Sequence, residues 1–374
     1  MGSLLKIDIN HDRIYGLDII RSLAILFVVI EHGNNLLPQK YFSTLYLFVF
    51  DGVSLFFVLS GFLIGGILIK EFENNNITFK VIIKFWKRRW FRTLPNYFLV
   101  LIILILLQFL FATNFPIRSI SKYFIFSQNL YYPQSSFFPE SWCLSVEEWF
   151  YLLTPLIILA VVYTFKLSNR KSIIYASLSV IIFITLFRVY RYMNFKITEY
   201  NDWDNMFRKE VITRLDSIMF GVIGSYISFY HKSLWLKYKK NLLFIGIILL
   251  LFPKLITFRQ NTYFYFCVLS FSFNSLGALL LMPYLSNINN GKGFIFKAVT
   301  YISLISYSMY LINLTIVQNW ILNNIDVSYF GIYGMLLKYF LFWALTILIS
   351  IVMYKYFEIP MTKLRDKVTW TLKK

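Results

Sequence analysis

The stretch "RSLAILFVVIEHG", residues 21–33, decides how this chain is read. It opens on Arg21 and closes with His32 and a glycine, and of the ten residues between Arg21 and His32 only Glu31 is charged. The surroundings are written for lipid. Of 374 residues, 58% are hydrophobic and 15% charged, and the mean hydropathy is +0.62; soluble domains carry about 25% charged residues. A charged side chain inside such a segment is costly and usually has a task. Arg21 and His32 are eleven positions apart, close to three helical turns. They therefore share one helix face, separated by about 16 Å along the axis. Asp18, three residues before Arg21, lies on the same face within pairing reach.

Crossing a bilayer takes about 20 apolar residues. About ten such runs occur: 17–36, 45–69, 94–113, 144–165, 172–191, 211–230, 241–257, 263–285, 298–322 and 332–357. The fold class expected is all-α, a polytopic integral membrane bundle of about ten transmembrane helices. Basic segments alternate with the spans: "KVIIKFWKRRWFR" (80–92), "KLSNRK" (166–171), "HKSLWLKYKK" (231–240), "GKGFIFK" (291–297) and "KLRDKVTWTLKK" (363–374). With ten helices they fall on one side, which the positive-inside rule makes cytoplasmic, together with both termini. That placement accounts for the net charge of +19 without nucleic acid as a partner. The polar N-terminus lacks the apolar core and cleavage site of a signal peptide. Cys143 and Cys267 lack metal-ligand spacing and read as buried thiols, so no metal is expected. One membrane domain over 1–374 is expected, its core about 15–366, with no appended soluble domain. The absence of internal repeats weighs against a transporter built on inverted halves.

Three polar clusters stand out. Asp18, Arg21, Glu31 and His32 form the first. His32 is the only histidine in a spanning run; His11 and His231 fall in polar segments. The second is "FWKRRWFRTLP", where Arg88, Arg89 and Arg92 are interleaved with Trp86 and Trp90. Arginine forks suit phosphate, but the same residues serve to anchor a helix at anionic lipid. The third is "PESWCLSVEEWFYLLTP" (139–155), with Trp142, Ser145, Glu147 and Glu148. The two glutamates are adjacent and cannot face the same way on a helix. A carboxylate beside an imidazole fixes its tautomer, so one of them is expected to orient His32. Arg188, Arg191, Arg214 and Asp216 are placed at the outer helix ends, where they either gather with His32 or meet the headgroups.

Taken in order, these motifs resemble the membrane-bound acyltransferase-3 family over nearly the whole chain. The opening pattern is "LDIIRSLAILFVVIEH", carrying Asp18, Arg21 and His32. "GVSLFFVLSGFLI" (52–64), the pair Arg89 and Arg92 in "RRWFRTLP", and "WCLSVEEWFYL" (142–152) follow. "RLDSIMFG", "ISYSMYLIN" and "FEIP" come later. The resemblance implies O-acyl transfer, usually of acetyl, from cytoplasmic acetyl-CoA to a hydroxyl of a cell-surface or lipid-linked glycan, in the inner membrane of a bacterium. It implies His32 as catalytic, supported by Glu147 or Glu148. Arg21, Arg88, Arg89 and Arg92 are placed on the donor side. Asp18, Trp142, Ser145, Arg188, Arg214, Asp216 and Asn313 are placed as supporting or acceptor-side residues. The chain departs from the family pattern at three points: Ser54 stands where Asp is frequent, with Asp51 nearby; Asn313 stands where histidine is frequent; and Glu31 replaces an apolar residue. The competing readings are a transporter or flippase of a polar lipid or glycan, and a membrane scaffold or sensor without turnover.

Overall fold

The computed structural model describes residues 13–74, 78–111 and 117–364. The polar start of the chain with His11, and the basic tail from 365 onward, lie outside the described residues. Among those described, the α-helices in chain order are α1 Tyr15–His32, α2 Gln39–Tyr46, α3 Gly52–Asn74, α4 Phe79–Phe111, α5 Ile117–Phe124, α6 Ser141–Phe165, α7 Asn169–Asn194, α8 Tyr200–Trp203, α9 Leu215–Tyr230, α10 Lys232–Lys237, α11 Lys239–Leu251, α12 Ser270–Leu285, α13 Gly293–Ile312 and α14 Gly331–Met353. Each of the ten apolar runs holds one of them. Seven helical stretches, Gly52–Asn74, Phe79–Phe111, Ser141–Phe165, Asn169–Asn194, Gln260–Leu285, Gly293–Asn324 and Gly331–Leu364, are long and apolar enough to cross a membrane. The other three runs hold shorter helices: α1 has 18 residues, with Asp18, Arg21 and Glu31 among them, and α9 and α11 have 16 and 13. The protein is an all-α, multi-pass membrane bundle.

The basic segment 80–92 is helical, not a connection between spans. α4 begins at Phe79 and runs 33 residues with Pro95 inside it. Lys, Arg, Trp and Phe are all compatible with helix, and no Gly or Pro interrupts 79–94. At 1.5 Å per residue α4 is about 50 Å long, against about 30 Å of hydrocarbon, so its basic half extends beyond the lipid core.

Small residues set how closely the helices approach. A methyl group on Gly61 would fall 1.9 Å from the Ile218 carbonyl oxygen, and one on Gly221 would fall 2.1 Å from that of Val58. α3 and α9 therefore touch backbone to backbone, and "GFLIG" (61–65) is spent on a contact within the chain. This contact sets the third turn of α3 beside the first turn of α9. Among the described residues four stretches widen into π-helical turns: Asp204–Arg208, Tyr265–Leu269, Asn313–Ile321 and Tyr354–Glu358. Such turns shift the carbonyl ladder by one residue and tend to mark functional positions. Three of the four border the polar interior described next.

Candidate active site

Residues from α1, α3, α4, α6, α13 and the Tyr354–Glu358 turn enclose a cavity of about 600 Å³. Arg13, Arg21, Arg89, Arg92 and Lys363 line it; among the described lining residues the carboxylates are Glu147 and Glu358. Arg21 reaches the cavity because Asp18 is engaged elsewhere. Arg13 Nε donates to Asp18 Oδ2 at 3.0 Å, and Ser303 Oγ donates to Oδ1 at 2.7 Å. Arg21 Nη1 stands 3.9 Å from the same carboxylate. The pairing expected between Asp18 and Arg21 is thus a loose one, and Arg13 is the principal partner. A second cavity of about 220 Å³ shares Arg89 and Arg92 with the first and adds Lys84, Arg88 and Glu71. Trp86 and Trp90, one turn apart on α4, stack on one another at 5.9 Å. Trp86 Nε1 also donates to the Tyr151 carbonyl at 3.0 Å, which commits it to the helix packing.

The two glutamates of α6 face apart, as adjacent helix positions must. Glu147 lines the cavity and accepts from Tyr151 Oη at 3.0 Å, with Ser60 Oγ 2.7 Å behind that hydroxyl. Glu148 turns to α4 and accepts from Thr93 Oγ1 at 2.7 Å. Neither glutamate is hydrogen-bonded to His32. Glu147 lies five residues past Trp142, about 7.5 Å further along α6, and that distance takes it down to the arginine-lined cavity.

Asn313 orients His32 instead. His32 Nδ1 lies 2.6 Å from Asn313 Oδ1. Asn313 Nδ2 donates to the carbonyls of Met309 at 2.8 Å and Tyr310 at 3.0 Å, so the amide can turn only its oxygen toward the ring. His32 Nδ1 therefore carries the proton, and the Nε2 lone pair is left as a base. The π-helical turn that begins at Asn313 is pinned by Glu140, which is buried. Its carboxylate accepts from the Thr315 N–H at 3.1 Å and from the Thr315 hydroxyl, and its carbonyl accepts from Tyr310 Oη at 2.7 Å. Cys143 and Tyr310 are among the residues that line the 600 Å³ cavity, and Tyr310 lies one helical turn before Asn313.

A charged shell surrounds this end of α1. Glu31 Oε1 lies 3.8 Å from Arg208 Nη1, and Asp204 pairs with both Arg208 and Lys209. Burial disfavours the Asp204 carboxylate, but the two cations outweigh it and hold the carboxyl below its ordinary value. Two guanidinium groups lie over the Trp142 ring, Arg208 at 5.6 Å and Arg214 at 6.0 Å. Arg214 donates to Ser54 Oγ at 3.0 Å, and Ser54 passes a hydrogen bond on to Asp51 at 2.6 Å. The carboxylate that the resemblance expects at position 54 thus acts from Asp51, one hydroxyl further away. Arg188 and Asp216 form a fully buried ion pair at 2.7 Å. Arg191 pairs with Glu210. Ser145 accepts from Gln128 Nε2 at 2.5 Å, in a buried contact of α6 with the segment before it.

Among the residues that sequence reasoning singled out, the structure gathers Arg21, Arg89, Arg92 and Glu147 around one cavity and places Arg88 beside it. It joins His32 to Asn313 and places Trp142 within cation–π distance of Arg208 and Arg214. Glu148, Arg188 and Asp216 are held in contacts between helices, and Ser145 in a contact of α6 with the segment before it. Four residues went unread: Arg13, Glu140, Arg208 and Glu358. Glu358 is bonded to Asn96 Nδ2 at 2.8 Å and Ser308 Oγ at 3.0 Å. It and Glu140 had a visible signal, a lone carboxylate beside or within an apolar run. Arg208 had none, because it lies in a segment that is polar throughout.

A helical membrane bundle with an arginine-lined cavity and, outside its lining, a histidine held by an amide oxygen has the makings of a membrane enzyme. The acyltransferase-domain model of the acyltransferase-3 family matches residues 14–355. The chain belongs to that family and carries its acyltransferase domain across nearly its whole length. It is similar to the Staphylococcus aureus (strain NCTC 8325 / PS 47) "O-acetyltransferase OatA", 32% identical over 168 residues, which is 41% of this chain and 26% of that protein. It is also similar to a Staphylococcus aureus (strain COL) protein named "Putative O-acetyltransferase", 28% identical over 225 residues, which is 57% of this chain and 34% of that protein. The matches span about a third or less of the length of these curated relatives. No solved structure matches the chain.

Proposed function

We propose that this protein is an O-acyltransferase of the bacterial cytoplasmic membrane that moves an acetyl group from acetyl-CoA, bound at the arginine-lined end, to a hydroxyl of a glycan or lipid-linked saccharide at the His32 end. The observation that carries the reading is the placement of unlike chemistries along α1. Arg21 opens into a cavity with Arg13, Arg89 and Arg92, while His32, on the same face, is held with Nε2 free. Coenzyme A is a polyanion of phosphates with a long flexible arm. Arginine forks match its phosphates bidentately, and a passage of about 16 Å suits the arm. In this reading the thioester sits at the part of the cavity that Cys143 and Tyr310 line, and comes there within reach of the histidine.

In this reading His32 Nε2 takes the proton of the acceptor hydroxyl as its oxygen attacks the thioester carbonyl carbon. The C–S bond breaks, and the imidazolium returns the proton to the departing thiolate. Asn313 keeps Nδ1 protonated through the cycle. The relatives named as O-acetyltransferases support acetyl as the group transferred, and the basic loops support a cytoplasmic donor side. The test is transfer of label from radiolabelled acetyl-CoA to a bacterial glycan extract by the purified protein. His32→Ala is expected to lower the rate by about 10²–10⁴-fold. Transfer at the wild-type rate by His32→Ala would sink the assignment.

A further inference from the structure

We infer that Glu140 is a positioning residue for His32: its buried side chain holds the widened turn Asn313–Ile321 in the form that aims the Asn313 amide oxygen at the imidazole. This rests on the proposed acyl transfer with His32 as the base.

Glu140 immediately precedes α6, where a carboxylate is favoured by the free N–H groups of the helix start. It makes no side-chain capping bond there. The side chain crosses instead to the stretch that continues α13. Oε1 accepts from the Thr315 N–H at 3.1 Å, and Oε2 accepts from the Thr315 hydroxyl. Glu140 is 1% exposed, and neither described cavity is lined by it. Among the described residues no cation pairs with its carboxylate. A carboxyl buried among neutral partners is costly, and an apolar side chain would fill the same space at less cost. What an apolar side chain cannot do is accept two hydrogen bonds from one residue of the turn.

Those bonds bracket Asn313. Thr315 lies two residues after it. Tyr310 lies three residues before it and donates from Oη to the Glu140 backbone carbonyl at 2.7 Å. Between these two fixed points Asn313 Nδ2 is anchored on the Met309 and Tyr310 carbonyls, and Oδ1 faces His32 Nδ1 at 2.6 Å. A π-helical turn is the rare form of helix, so the Thr315 bonds are what keep this one open. Without them the stretch closes toward α-helix. One residue of helix is about 100° of rotation, ample to carry the amide oxygen off the ring. Replacing the Glu140 side chain leaves its backbone carbonyl, and hence Tyr310 at the cavity wall, in place. The loss therefore falls on turnover and not on donor binding.

The experiment uses the full chain in nanodiscs, with radiolabelled acetyl-CoA varied against a bacterial glycan extract. Glu140→Leu is expected to lower kcat about tenfold, the same loss as Asn313→Leu, with KM for acetyl-CoA unchanged. Glu140→Gln keeps an oxygen for the Thr315 N–H and an amide for its hydroxyl, and should turn over at the wild-type rate. Glu140→Leu combined with Asn313→Leu should lose about tenfold and not the hundredfold product, because both act through one contact to the imidazole. A hundredfold loss in the double variant overturns the inference, since a clamp that only stabilises the bundle adds independently. Wild-type turnover in Glu140→Leu overturns it too, as does Glu140→Gln as slow as Glu140→Leu. If Glu140→Leu does not fold, Thr315→Val removes only the hydroxyl and carries the same test: a several-fold loss of kcat that vanishes in the Asn313→Leu background is expected, and a loss that persists there overturns the inference. Absence of transfer by the wild type overturns the acyl-transfer reading and the inference with it.

Discussion

The two ends of α1 differ in how their charges are held. Around Arg21, five cationic side chains face two carboxylates across the cavity, and several of the cations have no closed ion pair. Around His32 the charges are balanced and mostly paired: Asp204 with Arg208 and Lys209, and Arg214 through Ser54 to Asp51. An excess of unpaired cations in a protein interior is sustained when a polyanion supplies the missing charge. A neutral, hydrogen-bonded cluster instead holds geometry. The contrast teaches that one end is built to attract a ligand by charge and the other to position one by shape and hydrogen bonds.

The largest effect expected from breaking this contrast lies at the cationic end. Arg89→Ala combined with Arg92→Ala removes the two guanidinium groups that line both cavities. Each hydrogen bond to a charged group contributes about 1.5–3 kcal/mol, so the pair should weaken binding of coenzyme A by a hundredfold or more. Titration calorimetry with coenzyme A at two salt concentrations measures it, and the wild-type affinity should fall as salt rises. If affinity for coenzyme A is unchanged and only lipid preference moves, the arginines are membrane anchors and the contrast between the ends fails.

Much of this contrast was legible in the sequence, for a physical reason. In lipid every charge is conspicuous, so Arg21, His32 and Glu147 announced themselves by being where they were costly, while Arg89 and Arg92 stood out as a dense basic segment interleaved with tryptophan. Helical period then placed Arg21 and His32 on one face. The pairings stayed hidden because they join distant segments. Arg13 lies before the helix it pairs with, Glu140 reaches across to Thr315, and Arg208 comes from a connection whose polarity gave no cue. The choice of partner for His32 failed on depth. "EE" looked close to the histidine because α6 begins at its end of the bundle, but five residues of helix carried Glu147 to the opposite chemistry.

A smaller effect is expected at Asn313, where the neutral end controls geometry. Asn313→Leu keeps the volume near that of the amide and leaves His32 Nδ1 without its acceptor. The ring can then flip or change tautomer, and kcat should fall about tenfold, the worth of one hydrogen bond of about 1.4 kcal/mol. KM for acetyl-CoA should not change, since the proposed donor site is at the other end. Steady-state kinetics with each substrate varied in turn separates the two. A rise in donor KM with kcat intact would mean that Asn313 shapes the cavity and does not orient the imidazole.

The smallest effect on turnover belongs to Ser54. Its hydroxyl is the link by which Asp51 reaches Arg214, and it replaces a direct carboxylate–guanidinium contact. Ser54→Ala leaves the buried Arg214 facing Asp51 without the bridging group. This should destabilise the protein by about 1–3 kcal/mol while the rate changes little. The double substitution Ser54→Asp with Asp51→Asn moves the carboxylate one turn nearer and preserves the net charge. It should recover the stability lost in Ser54→Ala, because Arg214 already lies within hydrogen-bond distance of position 54. Thermal unfolding in detergent compares the three proteins. If Ser54→Ala melts with the wild type, the relay carries no stabilisation, and the order at the neutral end must come from the Arg188–Asp216 pair and the packing of Arg214 on Phe271.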